Sequence, residues 1–187
     1  MLKNRTKIIY LNSLIALTNQ SMQLILGFLI RKIFINSLGV AYLGYNSVFS
    51  NILQMLNLAD LGIGVAITSF LFQPLTNGDN QKISALMFLY KKIYNIIGII
   101  ILVIGLIISI PIGILVPDAT CSIGYLRILF LINLMGTVST YFLAYNRTLL
   151  VADQKSYITN FIDMIMYFTI SMLQVIILFT FPNYIVF

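Results

Sequence analysis

Apolar residues gather along the chain into five long stretches, roughly 8–35, 44–72, 85–116, 122–150 and 156–181, each parted from the next by a short polar or glycine-bearing segment. A helix needs about 20 apolar residues to cross a bilayer, so each stretch predicts one transmembrane helix. The separators are "NSLGVAYLG" (36–44), "QPLTNGDNQK" (73–82), "VPDATCS" (116–122) and "VADQKS" (151–156). With Pro74 and the Asn77-Gly78 pair, 73–82 reads as the clearest loop. No segment is left over for a soluble domain. The expectation is an all-α membrane protein of about five transmembrane helices, one transmembrane domain over 1–187.

Polar positions inside the stretches fall on faces. At about 3.6 residues per turn, Asn12, Asn19, Gln20, Gln23, Gly27 and Arg31 share one side of the first helix. The second repeats this with Ser47, Ser50, Gln54, Asn57, Asp60, Gly64 and Thr68, and the fifth with Asn160, Asp163, Tyr167, Ser171 and Gln174. The fourth is weaker, with Arg127, Asn133, Thr137 and Thr140, and the third is almost wholly apolar, as a helix with the most lipid contact would be. Two readings of these stripes stay open. Amides and hydroxyls serve as interhelical glue at about 0.6 kcal/mol each, or the stripes line a water-filled cavity, which would also account for Arg31, Asp60, Arg127 and Asp163. Arg31, Lys32 and Arg127 lie close enough to the ends of their stretches to snorkel. Asp163 has Lys155 or a neighbour to pair with. Asp60 is harder to dismiss, because it falls near the middle of its stretch, where a charge costs at least about 2.5–3.5 kcal/mol. A hydrated cavity or a paired arginine would accommodate it, with Gly62 and Gly64 admitting a bend or a close neighbour.

Composition supports the membrane assignment. The 187 residues are 60% hydrophobic and 9% charged, against about 25% charged residues in soluble domains. The chain has no His, no Trp and no Glu, so metal clusters and histidine-based triads are excluded on inventory and no cofactor or metal is expected. The acids are all Asp and lie on separate helices, so no acid–base pair for an enzyme can be assembled. Cys121 is alone and reads as a packing residue.

The net charge of +6 does not indicate nucleic acid, because the basic residues border apolar spans instead of forming one solvated patch. Lys3, Arg5, Lys7, Lys82, Lys91, Lys92, Arg147 and Lys155 fall on one side of a five-span topology and Arg31, Lys32 and Arg127 on the other, which puts the N-terminus in the cytoplasm. The first stretch is too long for a signal peptide and lacks a cleavage site. Tyr10, Tyr42, Tyr45, Tyr90, Tyr125, Tyr141, Tyr145, Tyr157 and Tyr184 fall near span ends, as an interfacial belt would. The final stretch runs into "FTFPNYIVF" without a charged tail, and a truncated or split reading frame is one expectation.

"SLGVAYLGYNSVFSNILQMLNLADLGIGVAI" (37–67), "LYKKIYNIIG" (89–98) and "YNRTLLVADQKSYITN" (145–160) resemble segments of polysaccharide-export flippases of the Wzx type, within the multidrug/oligosaccharidyl-lipid/polysaccharide exporter superfamily. Members have about twelve or more spans in two six-helix lobes, so the resemblance implies that this chain is most of one lobe, to be completed by a second lobe or other polysaccharide-assembly proteins. It also implies a bacterial cytoplasmic membrane and a polyprenyl-pyrophosphate-linked oligosaccharide as the lipid-linked substrate. Arg31 and Arg127 would then hold the pyrophosphate, Asn12, Asn19, Gln23, Gln54 and Asn57 the sugar hydroxyls, and Asp60 and Asp163 a charge pair or a coupling proton. The alternatives are a cation-coupled multidrug exporter of the same superfamily, which would be expected to carry an acid in the first span, and a non-transporting membrane scaffold or remnant.

Overall fold

The computed structural model describes residues 2–57, 62–116 and 121–180, with side chains from Tyr10 onward except that of Asn146. Among these residues every element is helical: α1 (Leu2–Leu38), α2 (Val40–Asn57), α3 (Ile63–Asn77), α4 (Asn80–Ser109), α5 (Ile112–Leu115), α6 (Ile123–Ala152) and α7 (Ser156–Thr180). Tyr10–Leu38 of α1, all of α4, Ile123–Tyr145 of α6 and all of α7 are long and apolar enough to cross a membrane. The chain is therefore an all-α, multi-pass membrane protein.

The expected second span, 44–72, is not one helix. It is divided between α2, of 18 residues, and α3, of 15. Gly62, immediately before α3, lies at φ 100°, a left-handed conformation open to glycine and strained for a residue with a β-carbon. Asp60 lies outside the described residues.

Two further boundaries differ from expectation, both at prolines. The expected loop 73–82 is mostly helix, because α3 runs through Pro74 to Asn77 and turns only at Gly78, at φ 66°, from which the Gly78 and Asp79 amides donate back to Leu75 and Pro74 carbonyls. Pro74 falls in the last turn, where it forfeits a single backbone bond while its ring is buried. Asp79 then caps α4: its Oδ1 accepts from the Lys82 amide at 3.1 Å and its Oδ2 meets the Lys82 ammonium at 3.1 Å. The third span, expected to reach 116, stops at Ser109. Pro111 has no amide to continue the ladder, and only the four-residue α5 follows.

The chain forms two compact units. The first, Met1–Tyr42 with Asp153–Phe187, contains α1 and α7. Asn12 meets Gln154 and Tyr157, and Gln23 meets Tyr167, so contacts advance together along both helices and the pair is parallel. The second unit, Leu43–Ala152, holds most of α2 and all of α3 to α6. Here α4 and α6 are antiparallel, with Tyr90 at Thr148, Gly98 at Tyr141, Gly105 at Leu134 and Ser109 at Arg127. Helix α2 follows α6 in the same direction, with Phe49 edge-on to Phe130 at 5.6 Å and Asn57 at Tyr141. Phe49, Ile101, Leu126, Phe130 and Leu134 are fully buried and form the centre of this unit.

Lipid tails are as apolar as a leucine core, so these helices associate through close packing and hydrogen bonds more than through removal of surface from water. Gly98 and Gly105, on one face of α4, make the approach of α6 this close: a β-carbon at Gly98 would lie 3.3 Å from that of Tyr141, and one at Gly105 would overlap the Leu134 side chain.

Gly105→Ala is therefore expected to destabilise the second unit by about 1–3 kcal/mol, the usual range for overpacking. Leu134→Ala in the same chain should recover part of the loss. Reversible unfolding in mixed micelles measures both. A second expectation concerns acid. The Lys82 amide, followed by its ammonium, holds the Asp79 carboxyl below its ordinary value of 3.8. The cap is thus fully present above the unfolded value and is lost as pH falls through the lower folded one. Amide-exchange protection at Lys82 should decline only in that acid range, and Asp79→Asn should remove the pH dependence.

Candidate functional site

The side chains singled out by spacing divide between the two units. Asn12, Asn19, Gln23, Arg31 and Asp163 belong to the first, and Gln54, Asn57 and Arg127 to the second. Within each unit the structure gives most of them a definite partner.

On α1, the amide stripe faces α7. Asn12 is half-buried; its Nδ2 donates to the Gln154 carbonyl at 3.1 Å and its Oδ1 accepts from the Tyr157 amide at 2.7 Å. Tyr157 lies in the first turn of α7, where backbone N–H groups have no intrahelical acceptor, so Asn12 caps α7 from a distant part of the sequence. Gln154, whose carbonyl it also holds, is at φ 59°. Asn19 is buried and its Oδ1 accepts from Gln23 Nε2 at 3.0 Å, while the Gln23 carbonyl accepts from the Tyr167 hydroxyl at 3.3 Å. Gly27 lies next to the same hydroxyl. Ser171, on the facing side of α7, is fully buried, and Asp163 is half-buried. Arg31 and Lys32 are both exposed.

In the second unit, Arg127 is committed to the fold. Its Nε donates to the Ser109 carbonyl at 3.1 Å and its Nη2 to the Ile110 carbonyl at 3.0 Å. Those are the carbonyls that α4 orphans when Pro111 stops it, and in hydrocarbon no water would take them. The guanidinium fork is thus a C-terminal cap. The α6 stripe is satisfied internally: Asn133 donates to the Leu129 carbonyl, Thr137 to that of Asn133 and Thr140 to that of Thr137. Asn57, at the last position of α2, accepts from the Tyr141 hydroxyl at 2.9 Å. Gln54 is exposed, as are Ser47 and Asn51 on the same face of α2.

Tyr141 belongs to a cluster that the interfacial-belt expectation overlooked. Tyr45, Tyr90 and Tyr141 are buried within the protein instead of exposed at a membrane surface. Tyr90 and Tyr94 are 4.3 Å apart edge to face, Tyr94 is 5.9 Å from Tyr141, and Thr148 donates to the Tyr90 hydroxyl at 2.9 Å. The hydroxyls of Tyr94 and Tyr90 reach within 3.1 and 3.4 Å of a β-carbon placed at Gly64. Asn57 of α2 and Gly64 of α3 therefore both lie beside tyrosines. The signal was present in the spacing, since Tyr90 and Tyr94, like Tyr141 and Thr148, recur on one helix face.

Two open grooves mark the second unit. One, of about 440 Å³, lies where α3 meets the start of α4, between Phe70 and Leu86, with Gln73, Asn77, Asp79 and Lys82 at its polar end. The other, of about 460 Å³, runs between α3 and α6 and is lined by Gly64, Thr68, Ser69, Phe72, Arg147 and Val151. Spacing had used Arg147 only to assign topology. Among the described residues no three metal-binding side chains converge.

No family model matches the chain, and neither a curated protein nor a solved structure does.

The partners of Asn12 define its test. Asn12→Ala should lower the stability of the first unit by about 0.5–2 kcal/mol, as loss of a helix cap does. Asn12→Asp should lower it less, because it keeps the acceptor for the Tyr157 amide. Unchanged unfolding of Asn12→Ala in micelles would instead return Asn12 to the pool of ligand-binding amides.

Proposed function

We propose that this chain is part of a multi-pass exporter that moves a polyprenyl-pyrophosphate-linked oligosaccharide from the inner to the outer leaflet of a bacterial cytoplasmic membrane, with its N-terminus in the cytoplasm. The observation that carries the proposal is the divided second span. Within the stretch expected to form that span, α3 begins after a left-handed Gly62, and the exposed face of α2 carries Ser47, Asn51 and Gln54. Non-helical backbone at membrane depth is tolerated where it is buried in protein or lines a cavity, and transporters place substrate sites at such discontinuous helices. Exposed amides on one face of a helix call for water, ligand or protein opposite them, not lipid. The segments resembling Wzx-type flippases include the same interruption, at 37–67.

Within this proposal the roles narrow. Arg127 has its fork on the carbonyls of Ser109 and Ile110, so Arg31, exposed at the end of the α1 stripe, is the cation assigned to the pyrophosphate. Gln54 and Asn51 are the amides assigned to sugar hydroxyls. Alternating access would require a second lobe, supplied by more chain or by another protein of polysaccharide assembly.

Complementation of a strain that lacks its own flippase, with the second lobe expressed alongside, tests the proposal, surface glycan being measured per membrane-inserted protein. Wild type should restore glycan, Arg31→Ala should reduce it at least about tenfold, the scale of one lost charge-assisted contact, and Arg31→Lys should recover part, since an ammonium lacks the fork. Lys32→Ala should change little. No restoration by the gene product expressed together with its second lobe would reject the flippase assignment.

A further inference from the structure

The exposed side chains of the two helices in the first unit are unlike. On α7 they are apolar along most of its length, as at Phe161, Ile165, Phe168 and Met172, and Thr169 among them donates to the Ile165 carbonyl of its own helix. Such a face asks for nothing but lipid. On α1, Ser13, Leu17, Gln20, Leu24 and Phe28 advance by three or four positions, so they share one face, and all five are exposed. Gln20 lies one residue, about 100° of helix, round from the buried Asn19. Asn19 and Gln23 bond each other, whereas no hydrogen bond engages the Gln20 amide among the described residues.

The depth of that amide rules out snorkelling. Helix α1 is continuous from Leu2 to Leu38 and carries no charged residue between Lys7 and Arg31. Gln20 is thirteen positions beyond the first and eleven before the second, so about 16–20 Å of helix separates it from either cation, in a hydrocarbon core of about 30 Å. Lipid offers an amide no partner there. Its neighbours on the face, Leu17, Leu24 and Phe28, are apolar, which suits a packed helix and not a water-filled path.

A carboxamide is its own complement, with an acceptor oxygen and two donor hydrogens. A second copy of α1 is parallel, because every copy inserts with the same topology, and symmetry brings its amide to the same depth. Any other helix would have to carry a matching group at that level.

We propose that the chain associates with a second copy of itself through α1, the two helices crossing at Gln20, with the paired amides exchanging N–H···O bonds between layers of Leu17 and Leu24. The contact is isologous, each copy offering the same patch. At a crossing angle of about 20–40° the helices have diverged by the level of Arg31, so Arg31 and Lys32 of the two copies stand apart. Gln20 is not among the residues assigned to the exported glycan, and the inference is independent of the export proposal.

The test is self-association of the full chain in proteoliposomes, followed by energy transfer between labelled copies as lipid is added. Wild type should dimerise, and Gln20→Leu, which inserts more readily, should raise the dissociation constant about tenfold, the scale of one or two interhelical hydrogen bonds in lipid. Gln20→Asn should recover part. A second readout keeps Gln20 in place: with Cys121 replaced by Ser, oxidation should link copies through Leu17→Cys or Leu24→Cys and not through Phe168→Cys on α7. A monomeric wild type would overturn the proposal, and would assign the amide to a different helix if Gln20→Leu also destabilised the monomer. Dimerisation unaltered by Gln20→Leu would overturn it too, as would equal linking through Phe168→Cys, the mark of unspecific crowding.

Discussion

A helix that stops inside or near hydrocarbon leaves backbone carbonyls and amides that no water can satisfy, and the fold is organised around that obligation. Pro111 ends α4 and Arg127 reaches across from α6 to take the carbonyls of Ser109 and Ile110. Helix α7 begins with an unsatisfied amide at Tyr157 and Asn12 of α1 accepts it. Each cap is also an interhelical clamp, so the residue that closes a helix end fixes which helix lies beside it and in what register. Close packing then follows: glycines on α4 let α6 approach, and the tyrosines at one end of that pair meet Asn57 of α2 and lie beside Gly64 of α3.

The polar residues consequently fall into two populations that look alike in sequence. Asn12, Asn19, Gln23 and Arg127 are engaged with other protein groups, and Asn133, Thr137 and Thr140 bond to their own helix. Asn51, Gln54 and Arg31 are exposed. Only the second population is available to anything passing along the protein, which is why the export proposal rests on α2 and Arg31 instead of on the longest stripes.

Apolar length was enough to locate the membrane-crossing helices, because the bilayer imposes a minimum run that little else in a chain satisfies. Faces were also legible: Asn12, Asn19 and Gln23 do share a side of α1. What the spacing could not supply was the identity of the opposite surface, since α7 lies far away in sequence. The helical period carries straight through Gly62 because it has no means of registering a left-handed residue, although a glycine at that position is the hint. Pro74 and Pro111 show the same limit from the other side. One is absorbed in a last turn and the other ends its helix, and the difference lies in where each falls relative to the packing around it. Tyr90 and Tyr141 were assigned to the surface by their nearness to span ends, yet interhelical contact buries them.

The parallel pairing of α1 with α7 has a consequence for biogenesis. The bond between Asn12 and Tyr157 closes a separation of 145 residues, whereas α4 and α6 are close in the chain and can meet as soon as both have been made. Helix α1 is thus made well before its partner, and it carries an amide stripe through the period in which α2 to α6 are synthesised. Until α7 is inserted, Asn19 and Gln23 have each other and Asn12 has nothing on the far side. Helix α1 must therefore be sheltered, by the insertion machinery or by a chaperoning helix, until α7 arrives.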